Sequence, residues 1–141
     1  MPSLIQACPS CGRRNRVPED ARGRPACAAC QAALPWLTEA DDRTFASVVE
    51  GSRIPVLVDL WAPWCGPCRM VSPAVERMAH KYPGRLKVTK VNVDVAQATA
   101  QRYSAMSIPT LLMIKQGAVV DRIVGAVPEG QLDSWVRRWV D

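Results

Sequence analysis

No stretch of this sequence approaches the roughly 20 consecutive apolar residues that a helix needs to cross a membrane, which argues against a helical span or a membrane partner. The first apolar pair, Leu4 and Ile5, is broken at once by Gln6 and then by Cys8-Pro9-Ser10-Cys11, so the apolar segment of a secretory leader is also missing. The expectation is a cytoplasmic protein. There is no low-complexity tract, no long Gly/Ser linker and no internal repeat beyond a doubled Cys-x-x-Cys. Histidine occurs once, at His80, four residues after Glu76 on what reads as a helix surface.

Six cysteines stand out against this background. A chain of 141 residues buries an adequate core without disulfides, so these cysteines are not the staples of a core-poor scaffold. In a reducing compartment, paired cysteines read as metal-binding or redox-active. The net charge of +5 is uneven: residues 1–35 carry five Arg against Glu19 and Asp20, while the longer remainder is near balance. That balance argues against a nucleic-acid partner for the longer part.

Two compositional regimes meet near Pro35. Residues 1–34 hold four cysteines and all the early arginines, with no run of helix or strand period. Residues 35–141 alternate between element types. Asp41 or Asp42 can cap a first helix with Phe45, Val48 and Val49 on one face, ended by Gly51. Val56–Trp61 is an almost unbroken apolar run of strand length, which suits a strand covered on both faces. A helix then carries Val71, Val75, Met78 and Ala79, with Pro73 inside it as a source of kinking.

Further on, residues 86–93 read as a strand and 96–103 as a short helix with Asp94 as its candidate cap. Thr110–Ile114 and Ala118–Val124 read as a hairpin through Lys115-Gln116-Gly117. A last helix begins at Pro128 with Leu132, Trp135, Val136 and Trp139 at core spacing. A short edge strand over 36–38 completes an α/β architecture, a mixed sheet with helices on both faces.

Cys65 and Cys68 lie three apart at the strand–helix junction, which brings two sulfurs together over one helical turn. Position 65 is the helix mouth, where free N–H groups and the dipole favour an anion and therefore a thiolate. Pro67 suits the first turn because its missing N–H is not needed there. This assigns Cys65 as the nucleophile and Cys68 as the resolving thiol. The alternative, that the pair ligates metal or is merely buried, is disfavoured by the absence of a second pair nearby.

Cys8-x2-Cys11 and Cys27-x2-Cys30 are separated by fifteen residues and together offer four thiolates for tetrahedral Zn²⁺. Four sulfurs close the shell, so the metal is structural rather than catalytic, and no organic cofactor is implied. Gly12 frees the backbone after the first pair, whereas Gln31 follows the second. With no apolar core evident, the segment is expected to fold with its metal.

Trp61-Ala62-Pro63-Trp64-Cys65-Gly66-Pro67-Cys68 resembles the active-site signature of the thioredoxin family, and the likeness continues over 36–141. With the four-cysteine segment, the whole chain is similar to the bacterial thioredoxin 2 type. The resemblance implies the thioredoxin fold and a small N-terminal zinc-ribbon module, divided as 1–34 and 35–141. It implies a protein-disulfide reductase recycled by an NADPH- and flavin-dependent thioredoxin reductase.

It also implies that Asp59 is a partly buried carboxylate accepting the Cys68 proton through a water, with Lys90 as its neighbour. A solvated strand-end carboxylate and an ordinary exposed strand lysine remain the alternatives for these two. Ile108-Pro109-Thr110 matches the family's cis-proline loop. Trp64, Gly66, Pro67, Ile108, Pro109, Gly125 and Ala126 would form the substrate-docking surface. The competing functional readings are a zinc-ribbon adaptor and a redox-sensitive holdase chaperone.

Overall fold

The structure is a computed structural model that describes residues 3–140. Strands β1 (Ser3–Ala7) and β2 (Arg14–Pro18) form an antiparallel hairpin. The sequence pattern did not disclose it, because the inward positions of β2 are Asn15 and Val17, one polar and one apolar. Asn15 is buried because it hydrogen-bonds: its side chain donates to the Arg13 carbonyl and accepts from the Ala28 amide.

A five-stranded sheet follows, in the order β3 (Leu37–Glu39), β5 (Lys87–Asn92), β4 (Val56–Trp61), β6 (Thr110–Lys115), β7 (Ala118–Val124). Strands β3, β5 and β4 are parallel, β6 runs antiparallel to β4, and β7 runs antiparallel to β6. Central β4 is buried along almost its whole length, as its continuous apolar run requires. Strand alternation divides the core. Leu57, Val88, Leu111 and Met113 pack against helices α1 (Gly66–Lys81) and α3 (Glu129–Arg137). Val58, Leu60, Val91 and Leu112 face Phe45, Val48, Val49 and Tyr103 on the other side.

The first expected helix is a single π-helical segment, Ala46–Glu50, and Asp41 caps its approach by accepting from the Arg43 and Thr44 amides. Helix α2 (Gln97–Arg102) is not capped by Asp94. Asp42, more than fifty residues earlier, accepts from the Ala98 and Thr99 amides and the Thr99 hydroxyl. Sequence spacing reveals local caps only, so a cap reaching in from another loop escapes it. The β6–β7 hairpin turns through Gln116 and Gly117, both with positive φ, as a two-residue turn of the right hand requires.

The N-terminal segment is docked on the sheet. Val17, Cys8, Cys27 and Leu34 pack with Trp36 and Ile54 in one apolar cluster. Lys87, fully buried, donates to the Glu19 carbonyl at 2.5 Å and the Val48 carbonyl at 2.6 Å, and lies 4.0 Å from the Trp36 ring centroid. Burial pushes its ammonium down to about 8, against the opposing pull of Asp20 and Glu19. The Glu19 carboxylate in turn accepts from the Glu39 amide on edge strand β3. The apolar surface missing within residues 1–34 is thus supplied by its neighbour.

Candidate active site and metal centre

Strand β4 delivers the chain to Ala62, and the loop 62–65 turns back through a Cys65 N–H to Ala62 carbonyl hydrogen bond before α1 begins. Cys65 is the N-cap of α1 and is disulfide-bonded to Cys68, with Cα atoms 5.2 Å apart. The Cys65 Sγ accepts from the Cys68 backbone N–H at 3.1 Å, one of the orphan donors of the first turn. That donor and the dipole behind it would stabilise negative charge on the same sulfur in the reduced state.

Both cysteines are enclosed in the disulfide state, at 4% and 1% exposure for Cys65 and Cys68. The order of accessibility is the expected one, but the outer sulfur is less open than a sulfur presented freely to solvent. The residues around it are open: Trp64 is 68% exposed and Gly66 and Pro67 are exposed.

Facing the disulfide, the Ile108–Pro109 peptide bond is cis, and the Ile108 carbonyl oxygen lies 3.7 Å from Cys65 Sγ. The Pro109 carbonyl accepts from the Gly125 amide, which ties this loop to the end of β7. Gly125 has φ of +95°, a conformation that a side chain would strain. Ala126 lies in a groove of about 400 Å³ together with Met70, Ala74, Val127 and Pro128, next to the first turns of α1. Met70 and Met106 are 78% and 95% exposed, two flexible apolar side chains that sequence patterning did not single out. Asp94, expected as a helix cap, instead accepts from the Trp64 indole N–H at 3.1 Å.

Asp59 is fully buried on β4, and neither of its carboxylate oxygens has a hydrogen-bond partner among the described residues. Desolvation pushes its carboxyl up to about 6; Lys90 opposes the shift and Glu76 reinforces it. Lys90 stands opposite Asp59 in the β4–β5 register. Its ammonium donates to Ser72 Oγ at 2.6 Å and Glu76 Oε2 at 3.2 Å, and sits 5.0 Å from the Trp61 ring centroid. These contacts exclude the reading of Lys90 as a plain exposed lysine. A burial-raised carboxyl with no partner is likewise not a solvated strand-end group.

The thioredoxin family profile matches residues 36–138. This chain belongs to the thioredoxin family. It is 47% identical over 100 residues to a thioredoxin of Haemophilus influenzae, covering 71% of this chain and 94% of that one. It is 50% identical over 97 residues to thioredoxin 1 of Nostoc sp., covering 69% and 91%. An M-type chloroplast thioredoxin of Pisum sativum is 44% identical over 100 residues, 71% of this chain and 58% of its own. As a thioredoxin with its Cys65–Cys68 pair at bonding distance, the chain is a thiol–disulfide oxidoreductase of the protein-disulfide reductase class. Among the described residues no helix is long and apolar enough to cross a membrane.

In this thioredoxin the other four cysteines converge outside the family match. Their Sγ atoms all lie within 4.8 Å of one another, with Cys8 and Cys30 3.5 Å apart and Cys11 and Cys27 3.6 Å apart. The two halves are built alike. The Gly12 amide donates to the Cys8 carbonyl and the Gln31 amide to the Cys27 carbonyl. Likewise the Cys8 amide donates to the Arg13 carbonyl and the Cys27 amide to the Ala32 carbonyl. Gly12 and Gln31 occupy the same left-handed conformation, φ of 78° and 68°. The departure at Gln31 is therefore one of residue type only.

The sulfurs share a field that favours anions unevenly. The Cys30 backbone N–H draws the Cys27 thiol down to about 6 against the cost of burial, helped by Ala29 and Asn15. Cys30 is favoured as a thiolate by the Ala32 amide, yet its contact with Cys8, its burial and the remaining sulfurs push it up to about 12. Sulfur–sulfur spacings of 3.5 and 3.6 Å suit a tetrahedron whose centre lies ~2.3 Å from each thiolate. The four residues can hold a metal ion.

Proposed function

We propose that this chain reduces protein disulfides by dithiol exchange through Cys65-Gly66-Pro67-Cys68. The Cys65 thiolate attacks one sulfur of a substrate disulfide, breaking that bond, forming a mixed disulfide and releasing the other substrate sulfur as a thiol. Asp59 accepts the Cys68 proton through a water, and the Cys68 thiolate attacks Cys65 Sγ. The substrate leaves with both sulfurs reduced, and the dithiol that supplied the two electrons is left oxidised as the Cys65–Cys68 disulfide. A thioredoxin reductase, drawing on NADPH through a flavin, restores the dithiol.

The observation that carries this reading is the Cys65 sulfur accepting the Cys68 N–H at the mouth of α1. An extended substrate segment would pair with backbone groups of residues 107–109, as in strand addition, and lie across Trp64, Gly66, Pro67, Ile108, Pro109, Gly125 and Ala126. Because the relatives are thioredoxins, exchange is favoured over the adaptor and holdase alternatives. The chemistry suits a reducing compartment, the cytoplasm.

Residues 1–34 form, on this reading, a module in which Cys8, Cys11, Cys27 and Cys30 hold a structural Zn²⁺, with residues 35–141 as the thioredoxin domain. The metal would tie the two knuckles together and leave no open coordination site for chemistry. This is the arrangement of the thioredoxin 2 type.

Turnover of a protein disulfide such as that of insulin tests the exchange reading. Cys65→Ser abolishes it, and Cys68→Ser accumulates a mixed disulfide with substrate. Turnover retained in Cys65→Ser would refute the mechanism.

A further inference from the structure

We propose that Ser72 and Glu76 are positioning residues for the exchange reaction, holding the Lys90 ammonium against α1 so that the Asp59 carboxyl behind it is left without an ion-pair partner. The inference rests on the dithiol-exchange reading above, in which Asp59 moves the Cys68 proton.

The sheet by itself would pair the two charges. Asp59 and Lys90 are directly opposite in the parallel β4–β5 ladder, on strands about 4.8 Å apart. Asp59 has the alternation of Leu57, and Lys90 that of Val88, so both side chains leave the sheet on the face covered by α1. A lysine stem easily spans that distance. Yet both Asp59 oxygens lack a hydrogen-bond partner, while Lys90 Nζ is 2.6 Å from Ser72 Oγ and 3.2 Å from Glu76 Oε2.

Ser72 links the two ends of this arrangement. Its hydroxyl has one proton, donated to Glu76 Oε2 at 2.8 Å, and its oxygen accepts from Lys90. The residues are four apart on α1, which stacks them on one face. The face of the Trp61 ring offers the ammonium a further contact. The ammonium's hydrogen bonds therefore go to α1, and it reaches Asp59 only as a charge acting through space.

The consequence is chemical. A carboxylate paired directly with an ammonium is a weak base, and a proton acceptor works best with an affinity near the working pH. The charged and titratable groups bearing on Asp59 are Lys90 from β5, Glu76 from α1 and the Cys68 thiol when reduced. Its partner on β6 is the apolar Leu111. Glu76 therefore acts twice: its own charge disfavours ionisation of Asp59, and it retains the cation that would favour it.

The test is the titration of the Asp59 carboxyl, followed by carbon-13 NMR in the oxidised, metal-loaded full chain, where Cys65 and Cys68 do not titrate. In Ser72→Ala and in Glu76→Gln the midpoint should fall by at least about half a pH unit, about threefold in proton affinity. In a Lys90→Met background, Ser72→Ala should leave the midpoint where Lys90→Met alone puts it. The acidic limb of the pH profile for substrate release from the mixed disulfide should move with the midpoint. An unmoved midpoint in Ser72→Ala would overturn the proposal whatever Glu76→Gln does, since loss of the Glu76 charge lowers the midpoint by itself, as would an equal Ser72→Ala shift with and without Lys90. Neither result depends on turnover, so failure of the exchange reading, seen as turnover by Cys65→Ser, stays distinguishable.

Discussion

Lys90 stands directly across the β4–β5 ladder from Asp59, yet gives its hydrogen bonds to Ser72 and Glu76 on α1. The carboxyl is thereby left buried, unpartnered and raised to about 6 by desolvation, with Lys90 pulling the other way and Glu76 adding to the rise. A group in that condition costs the folded state something at neutral pH, and that cost is the mark of a site kept for chemistry rather than for stability.

The sign of that cost is measurable. Because the folded-state affinity of Asp59 for a proton exceeds the unfolded one, stability falls as pH rises from about 4 to about 6 and the penalty is complete above 6. Asp59→Ala should therefore be more stable than the parent at pH 8 by about 2–3 kcal/mol, less the cost of a small cavity. The advantage should vanish near pH 3.5. Urea unfolding of the oxidised protein at both pH values checks this, and turnover at pH 7 should drop in the same variant.

Gln31 adopts a left-handed backbone that its counterpart Gly12 reaches without strain. Gln31→Gly should stabilise the N-terminal module by about 0.5–1 kcal/mol. The check is the chelator concentration needed to strip metal at fixed time, which should rise in the variant. Gly12→Ala should lower it.

Lys87 spends its ammonium protons on carbonyls of two separate segments, Glu19 and Val48. Lys87→Met keeps the apolar stem but leaves those carbonyls without a donor, at a cost of about 1–3 kcal/mol. Amide exchange should accelerate over residues 17–20 and 48–52 before it does in β4. Equal protection in parent and variant would show that the apolar cluster around Trp36 alone docks the segment.

Much of this is legible in the sequence, for identifiable reasons. The run Val56–Trp61 could only be a strand buried on both faces, and the eight residues ending at Cys68 fix the strand–helix junction. What is not legible there depends on contacts distant in sequence. Asp42 caps a helix more than fifty residues away, and Asp94, next to that helix, serves Trp64 instead. The β1–β2 hairpin hid because Asn15, not an apolar residue, fills an inward position. Nothing within the 86–93 strand marks Lys87 as buried, because its three partners come from distant segments. Nothing in the sequence marks Ser72 beside Pro73; only the placement of Lys90 gives its hydroxyl a role.

Trp64 is exposed and held by Asp94 through its indole N–H, so its ring is fixed without being buried. Trp64→Ala should raise KM for protein disulfides severalfold, with a far smaller effect on a small dithiol-reagent disulfide that cannot span the surface. Asp94→Asn should show a weaker change in the same direction.

Competitive alkylation of the reduced, zinc-loaded protein with iodoacetamide at pH 7, resolved by peptide mass spectrometry, bears most directly on the helix-mouth thiolate. Cys65 should be modified first, at least about tenfold faster than Cys68 and than the four cysteines of the N-terminal module. If Cys65 reacts no faster than Cys68, or resists the reagent altogether, the sulfur at the mouth of α1 is not an activated nucleophile.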